Sequence, residues 1–369
     1  MKKYIGLEEM SNGNCSSVLS VIRDCGEVSR KQISDITGLS WGGMTKIVNK
    51  LFEHEYIVED KSQNVTGIGR IPNVIRINKE QNFVIGLDIN RMGFAAYVMN
   101  LAGDIIKGYF HAHNQRKEQQ SENAASKELF DNKEELLQAI LELTRQAVDE
   151  YKEKKILAIG VAMQGILDAE NGVSVKFPHC HDWKNVPIKE ILEQEFGIEV
   201  FVEHDPNCML YSVMSEEESE NMLLLRLDSS VGMAASVNGS IIRGNGLLEV
   251  AHYIVVPEGK ECRCGQRGCL EAYVSSCLVK GKLQEEELPE LIKPMAIFMN
   301  NMIHMFNSDK IVLTGRLVKY RSAFEKELLE EFQKYCDKDV IVEFVEEAEH
   351  AVHGAALIAA QGAIEQLRL

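Results

Sequence analysis

The sequence predicts an α/β protein in which a small helical domain precedes a larger body of alternating strands and helices. From Phe83 onward, short apolar strands alternate with longer helical patterns, which is typical of an α/β sheet. This alternation occurs in two cycles. The first eighty residues differ, because three helical patterns come before two short strands. A chain of 369 residues, 45% of them hydrophobic, is long enough for two or three domains with their own cores.

Composition and charge exclude several classes of protein. No run of eighteen apolar residues is present, so we expect no membrane span. The N-terminus, MKKYIGLEEM, lacks the apolar segment of a signal peptide, and we expect a cytoplasmic protein with reduced thiols. The net charge of −16 argues against polyanion binding by the whole surface. Residues 1–80 contain 11 Lys+Arg and 10 Asp+Glu, whereas the rest of the chain contains 29 Lys+Arg and 46 Asp+Glu. Because nearly all of the negative charge lies outside them, residues 1–80 are the only plausible nucleic-acid surface.

Residues 1–80 are predicted to form a winged helix-turn-helix domain. The second helix should begin after the N-cap Ser29 and end near Gly38, and the third should run from about Ser40 to His54. Residues 56–58 and 74–77 alternate like two strands around a loop at 61–72, which would form the wing. The apolar positions of the three helices are, in order, Val18, Leu19, Val21 and Ile22; Ile33, Ile36 and Leu39; and Met44, Ile47, Val48, Leu51 and Phe52.

The third helix is the candidate DNA-recognition helix, because in a helix-turn-helix it enters the major groove with its early residues nearest the bases. Arg70 in the wing is placed to reach phosphate or a minor groove. A three-helix interaction module with ordinary solvated lysines is the alternative, and two early glycines weaken the helix start. The candidate DNA contacts are Ser40, Trp41, Gly42, Gly43, Thr45, Lys46, Asn49, Lys50 and Arg70.

The body is predicted to contain two similar lobes around a cleft. The first cycle has strands at 83–89, 94–100 and 104–110, a helix at about 127–154 and a strand at 154–163. The second has strands at 198–204, 221–228 and 233–239, a Met-rich helix at about 294–307, a strand at 311–315 and a closing helix at 353–364. Two such βββαβα halves predict an actin-like, ribonuclease-H-like architecture. We expect lobe 1 at 81–200, completed by a C-terminal helix at 349–369, and lobe 2 at 201–348.

The segment EVAHYIVVPEGKECRCGQRGCLE at 249–271 predicts a metal site. His252, Cys262, Cys264 and Cys269 supply one imidazole and three sulfurs, a set that suits a closed, structural tetrahedral Zn²⁺ site. Two glycines in the segment allow the tight turns that such a site needs. The alternative is a group of reduced, buried cysteines. Glu249 and Glu271 flank the segment and could bind a polar ligand.

The chain resembles the ROK family of sugar kinases and sugar-responsive repressors, and specifically its xylose-repressor-type branch. SRKQISDITGLS, VNKLFEHEYIVED and GIGRIP are similar to that branch's winged helix-turn-helix. EVAHYIVVPEGKECRCGQRGCLEAY is similar to the family's zinc and sugar signature, and VEHDPN to its sugar motif. The resemblance implies zinc on the four ligands given above. It also implies sugar contacts from Gly165, His204, Asp205, Glu249, His252 and Glu271.

Both phosphate-binding turns of the family's kinases are altered in this chain. The family has Asp-x-Gly-Gly-Thr and Gly-Thr-Gly-x-Gly turns, where this chain has Asp88-Ile89-Asn90-Arg91-Met92-Gly93 and Asp228-Ser229-Ser230-Val231-Gly232. Side chains then stand where phosphate oxygens should approach bare backbone. On the sugar side, His204 replaces the family's Asn and Ala251 replaces a Gly. The altered phosphate turns, beside retained zinc and sugar residues, favour binding without catalysis, whereas the two departures on the sugar side leave open which sugar binds and whether the pocket binds one.

The sequence therefore predicts a sugar-responsive DNA-binding transcriptional regulator rather than an enzyme, most simply a repressor. Its expected partners are operator DNA, a sugar or sugar-phosphate effector and further copies of itself, as a homodimer or homotetramer. One alternative is an active ATP-dependent hexose or amino-sugar kinase with Asp205 as the catalytic base. Another is a constitutive DNA-binding protein whose body binds no ligand.

Overall fold

The structure, a computed structural model, describes residues 7–61, 73–90, 93–112, 132–178, 180–217, 219–243, 248–279, 281–346 and 350–369. Its first part is a head of three helices, α1 (Leu7–Cys25), α2 (Arg30–Thr37) and α3 (Trp41–Glu53), followed by antiparallel strands β1 (Ile57–Lys61) and β2 (Asn73–Ile77). A capping box at Ser29 starts α2, and Gly38, with φ of 68°, ends it. The chain therefore turns within three residues into α3. The predicted helix-turn-helix and wing strands are confirmed, whereas the wing loop lies outside the described residues.

The predicted apolar face of the head is confirmed at most positions but is wrong at Ile36. Ile33 is fully buried, whereas the Ile36 side chain is 57% exposed. Three residues advance a helix by about 300°, so Ile36 lies to one side of the face that Ile33 presents to the core. A helix as short as α2 contacts its neighbours over a narrow strip. Val21 is half-buried, which places it at the margin of the α1 core face.

The first large sheet has the strand order β10-β6-β3-β4-β5. Strands β3 (Asn82–Asn90), β4 (Gly93–Asn100) and β5 (Ile105–Ala112) form an antiparallel meander, and β6 (Lys155–Met163) and β10 (Glu199–His204) run parallel to β3. Because β10 pairs with β6 along its whole length, this sheet continues past residue 200 to His204. Between β5 and β10 lie α4 (Lys133–Glu150), a small sheet of β7 (Ile166–Asp168), β8 (Val173–Lys176) and β9 (Lys184–Val186), and α5 (Ile188–Phe196).

The second large sheet repeats this topology, with the order β13-β12-β11-β16-β17. Strands β11 (Met222–Leu227), β12 (Val231–Val237) and β13 (Ser240–Ile241) form the meander, and β16 (Lys310–Thr314) and β17 (Ile341–Phe344) are parallel to β11. The remaining elements are α6 (Asp205–Met214), α7 (Leu270–Ser276), β14 (Leu278–Val279), β15 (Lys282–Leu283), α8 (Leu288–Phe306) and α9 (Glu325–Phe332). The duplicated arrangement confirms the predicted two-lobed fold class.

The last helix, α10 (His350–Glu365), packs between the head and the first sheet. A Cβ atom on Gly160 of β6 would lie 1.8 Å from the Ala355 carbonyl oxygen, so the helix backbone rests directly on the sheet. Gly354 approaches the backbone of Cys208 in α6 equally closely. On its other side, α10 shares one apolar core with the head, through Ala359, Ala360, Ile364, Val18, Leu19, Ile22 and Leu51 among others. The head is therefore joined to the body by a continuous core.

Within the part of the chain that the structure describes, no helix has the length and apolarity needed to span a bilayer.

Candidate functional site

The four predicted metal ligands meet in the second lobe. Their ligand atoms all lie within 4.8 Å of one another. The Cys262 Sγ is 3.7 Å from the His252 Nδ1, and the Cys264 Sγ is 3.7 Å from the Cys269 Sγ. A tetrahedral ion with bonds of about 2.3 Å to sulfur would separate two sulfurs by about 3.8 Å. His252 and Cys264 are exposed, so a group of cysteines buried by core packing alone does not describe this arrangement.

Backbone geometry explains how the sulfurs converge. Gly265 and Gly268 have φ values of 88° and 84°, in the left-handed region that favours glycine. A Cβ atom on Gly268 would lie 1.8 Å from the Val256 carbonyl oxygen. The Cys262 N–H donates to the Gln266 carbonyl at 2.8 Å, which closes a tight hairpin. Cys269 is the N-cap of α7, so one ligand is fixed to the start of a helix.

The donor set fits a soft divalent cation. Three sulfurs and one imidazole nitrogen are ligands that Zn²⁺ takes in closed structural sites. Burial and the neighbouring sulfurs raise the pKa of the Cys269 thiol to about 12. A bound cation would reverse this effect, because it stabilises the thiolate form of its ligands. The cluster can therefore hold a metal ion.

The two carboxylates that flank this cluster have different surroundings. Glu249 is exposed, whereas Glu271, in the first turn of α7, is 2% exposed. Arg263, on the loop between two of the cysteines, approaches Glu271 with Nε 2.7 Å from Oε1 and Nη2 3.0 Å from Oε2. Oε1 is buried and has no well-aligned hydrogen bond among the described residues. Sequence reasoning missed Arg263, although its place between Cys262 and Cys264 could have drawn attention to it.

Gly165 and His204 lie at the carboxyl edge of the first sheet, where the parallel strands β3, β6 and β10 end. Gly165 has φ of 101°, and its Cβ would lie 2.1 Å from the Lys176 carbonyl oxygen, so the turn after β6 requires glycine. Both ring nitrogens of His204 are buried without a well-aligned hydrogen-bond partner among the described residues. Burial lowers the pKa of His204 and outweighs the opposite effects of Glu203 and the Leu167 backbone. The imidazole is therefore held neutral.

The start of α6 is anchored by Glu203, the residue before His204. Its Oε1 accepts hydrogen bonds from the His204 backbone N–H and from Asn207 Nδ2, both at 2.9 Å. Its Oε2 lies 2.6 Å from Arg243 Nε. These contacts fix the backbone that carries His204 and Asp205.

Asp205 belongs to a buried network of ion pairs at the carboxyl edge of the second sheet. Its Oδ2 lies 2.9 Å from Arg226 Nη1, and Arg226 Nη2 lies 3.7 Å from the Asp228 Oδ2. Arg316, after β16, binds the other Asp228 oxygen, with Nε 2.7 Å from Oδ1. Burial alone would raise the pKa of Asp228, but the hydrogen bond from Arg316 and the two guanidinium charges hold it below its usual value. We name these four residues the ion-pair network.

The ion-pair network lies at the turn between β11 and β12, which the sequence resemblance assigns to the second phosphate loop of the kinases. Asp228 opens this turn between β11 and β12, and Pro206 of α6 lies against it, 3.0 Å from the position of a Gly232 Cβ. At the first phosphate turn, Asn90 donates to Asp88 at 2.6 Å, whereas residues 91 and 92 lie outside the described residues. Sequence reasoning did not identify Arg226 or Arg316, because an isolated arginine in a strand or after a glycine carries no motif.

The candidate DNA contacts lie mostly on the exposed side of α3. Ser40 caps the helix by accepting a hydrogen bond from the Gly43 N–H, and Trp41 is 58% exposed. Gly42, Lys46 and Asn49 are exposed, Gly43 and Thr45 are half-buried, and the Thr45 hydroxyl donates to the Trp41 carbonyl. Lys50 is different, because it is half-buried and its Nζ donates to the Leu369 carbonyl at 2.7 Å. It is thus a contact between head and body, and Arg70 lies outside the described residues.

The duplicated sheets, the metal-ligand cluster and the helical head define a two-lobed sugar-kinase-type fold that carries a winged helix-turn-helix. A model of the ROK family matches residues 110–292, which identifies a ROK family domain in this part of the chain. The Xylose repressor of Caldicellulosiruptor bescii is 27% identical over 265 residues, which cover 70% of this chain and 62% of that protein. The alignment with the DNA-binding transcriptional repressor Mlc of Escherichia coli, at 25% identity, covers 73% of this chain and 64% of that protein. The chain thus matches less than two thirds of the length of these relatives.

Solved structures share the fold. A ROK family transcriptional regulator, described as a homologue of the E. coli Mlc protein, superposes with a TM-score of 0.77 over 96% of this chain and 97% of that one, at 19% identity. The ROK hexokinase of Thermus thermophilus superposes with a TM-score of 0.62 over 75% of this chain and 97% of that one, at 22% identity. The fold is therefore common to regulators and kinases, and residues at the site must separate the two functions.

Proposed function

We propose that this protein is a sugar-responsive DNA-binding transcriptional regulator that acts as a repressor in the cytoplasm. The observation that carries the proposal is the combination of an exposed recognition helix with a body whose phosphate-loop position is filled by the ion-pair network. The names of its sequence relatives, a xylose repressor and the repressor Mlc, support the same assignment.

The ion-pair network argues against catalysis. A kinase base must be able to accept a proton from the substrate hydroxyl, but the Asp205 carboxylate is 2.9 Å from Arg226. ATP phosphates would meet a position that Asp228 and its arginine partners already occupy, and the lowered pKa of Asp228 keeps its carboxylate charged and paired. Phosphoryl transfer depends on positioning and on neutralising phosphate charge, and here the guanidinium charges of Arg226 and Arg316 are already engaged by carboxylates.

We propose that Zn²⁺ occupies the His252, Cys262, Cys264 and Cys269 cluster as a structural ion. Its role would be to fix the loop that carries Arg263 and the start of α7 that carries Glu271. With Nδ1 of His252 directed at the cluster, Nε2 remains for a ligand hydroxyl. Together with Gly165, His204, Asp205, Glu249 and Glu271, His252 would form the sugar site.

The coupling route we propose runs through α10. This helix touches the first sheet and α6 on one side and the head on the other. A sugar that favours one arrangement of the lobes would change the position of α10 and therefore of the two heads of a homodimer or homotetramer on a palindromic operator.

A binding assay on the DNA upstream of the protein's own gene, with and without a monosaccharide panel, tests this function. We expect sequence-specific binding that changes with one sugar. Lys46→Ala should weaken binding and reduce its salt dependence by about one counterion, since an exposed lysine contacts phosphate. Lys326→Ala, which removes an equally exposed lysine from α9, is the matched control. The absence of sequence-specific binding under every condition would refute the proposal.

An ATP-dependent hexose or amino-sugar kinase is the second candidate. The kinase fold neighbours and the position of Asp205 at the first residue of α6 favour it. Sugar-dependent ADP release that disappears in Asp205→Asn would establish it, whereas no turnover by the zinc-loaded wild type would end it.

A further inference from the structure

The buried Glu271 carboxylate has an exposed guanidinium as its charged partner. Glu271 is 2% exposed and is held in place at the start of α7, where its N–H donates to the Ala251 carbonyl at 2.9 Å. The Arg263 side chain is 67% exposed and extends from the loop between Cys262 and Cys264. One partner is therefore fixed and buried, whereas the other can move.

The guanidinium fork covers both carboxylate oxygens. Arg263 Nη2 donates to Oε2 at 3.0 Å, and Nε lies 2.7 Å from Oε1 as an ion-pair contact without hydrogen-bond alignment, so one edge of the guanidinium faces both oxygens. Two adjacent hydroxyls of a sugar would present their donors to the same two oxygens. Because Oε1 is already inaccessible to solvent in the described structure, a ligand cannot reach it unless a covering group leaves.

The Arg263 side chain has space into which it can move away from Glu271. It lines a cavity of about 430 Å³ together with Lys260, Glu261, Cys262, Glu271, Ala272, Ser275 and Ser276. Of the residues implied for sugar binding, only Glu271 is part of this lining. The cavity therefore lies beside the predicted sugar site and can receive the displaced guanidinium, while the zinc ligands on either side of Arg263 stay in place.

We infer that Arg263 is an internal competitor of the sugar for Glu271. The ligand-free protein keeps the buried carboxylate neutralised by Arg263, and a sugar with two adjacent hydroxyls displaces it. The residue thereby sets the threshold concentration at which the sensor responds. This inference rests on the sugar-sensing function proposed above.

Calorimetric titration of the zinc-loaded full chain with xylose, glucose and N-acetylglucosamine tests the inference. Arg263→Ala should bind the preferred sugar about 3- to 10-fold more tightly than the wild type, because the ligand no longer displaces an ion pair that is partly screened by solvent. Arg263→Lys should lie between the two, since lysine keeps the charge but lacks the fork. Arg263→Ala combined with Glu271→Gln should lose the gain.

Arg267→Ala is the matched control, because Arg267 lies on the same loop and the one contact described for its side chain is with the Glu258 carbonyl, at 3.4 Å. Its affinity should equal that of the wild type, and elemental analysis should find the same zinc content in all variants. Unchanged or weaker sugar binding by both Arg263 variants, with binding by the wild type, would overturn this inference alone. No sugar binding by the wild type or by Arg263→Ala would overturn both the inference and sugar sensing.

Discussion

The metal-ligand cluster and the ion-pair network are two parts of the same lobe, and they differ in what they leave for a ligand. In the cluster, four candidate ligand atoms lie within 4.8 Å of one another, and two of their separations, both 3.7 Å, are close to the edge of a zinc tetrahedron. In the network, two aspartates and two arginines form ion pairs at the turn after β11, which we propose corresponds to a phosphate loop of the kinases. The first arrangement offers four donor atoms that a cation could join, whereas in the second the charges of the described side chains already pair with one another. We propose that a fold shared with kinases has here kept its sugar half and closed its nucleotide half.

The largest effect should come from removing a metal ligand. We expect Cys264→Ser to lose the bound zinc and at least about 3 kcal/mol of stability, because metal binding to a structural site contributes directly to folding. Elemental analysis and thermal unfolding would measure both effects. Cys25→Ser is the control, because Cys25 is exposed in the head, outside the cluster. A wild type that is fully folded without metal would contradict this half of the comparison.

Breaking the ion-pair network should lower the free energy of unfolding by a similar or slightly smaller amount. Arg226→Ala would leave Asp205 and Asp228 buried with less positive charge, and loss of one partner of a buried pair costs about 3–5 kcal/mol. Denaturant unfolding would measure the loss. Lys326→Ala, which removes an exposed lysine paired with Glu330, should change stability by less than about 1 kcal/mol. Equal, small losses for both variants would show that the network does not stabilise this edge of the sheet.

The smallest expected effect is a change in how stability depends on pH. The pKa of His204 is lowered in the folded protein, so the unfolded chain binds more protons as pH falls below about 6.5. Stability should therefore decrease in that range, and His204→Gln should reduce the decrease. His304→Gln, which removes an exposed imidazole from α8, is the control. Identical pH profiles for the wild type and His204→Gln, measured by thermal unfolding from pH 5 to 7.5, would show that His204 is not held neutral by burial.

The sequence predicted the fold and the convergence of the four candidate metal ligands, because both leave local patterns. The alternation of strands and the turn at Gly38 each depend on a few neighbouring residues, so the sequence shows them directly. The spacing of the cysteines likewise indicates which sulfurs can converge. Ile36 was assigned wrongly because the same apolar spacing describes a core strip and its exposed margin. The partners of Glu271 and Asp205 could not be predicted either. Arg226 is 21 residues from Asp205 in sequence, and the packing of α6 against the β11–β12 hairpin brings them together.

Titration of the zinc-loaded protein with monosaccharides and, separately, with Mg²⁺–ATP tests the central claim most directly. The retained metal-ligand cluster predicts measurable binding of at least one sugar, and the ion-pair network predicts no binding of Mg²⁺–ATP, with or without that sugar. Heat of binding from Mg²⁺–ATP, accompanied by ADP release in the presence of a sugar, would contradict the account, because a nucleotide would then occupy the position that the ion-pair network fills.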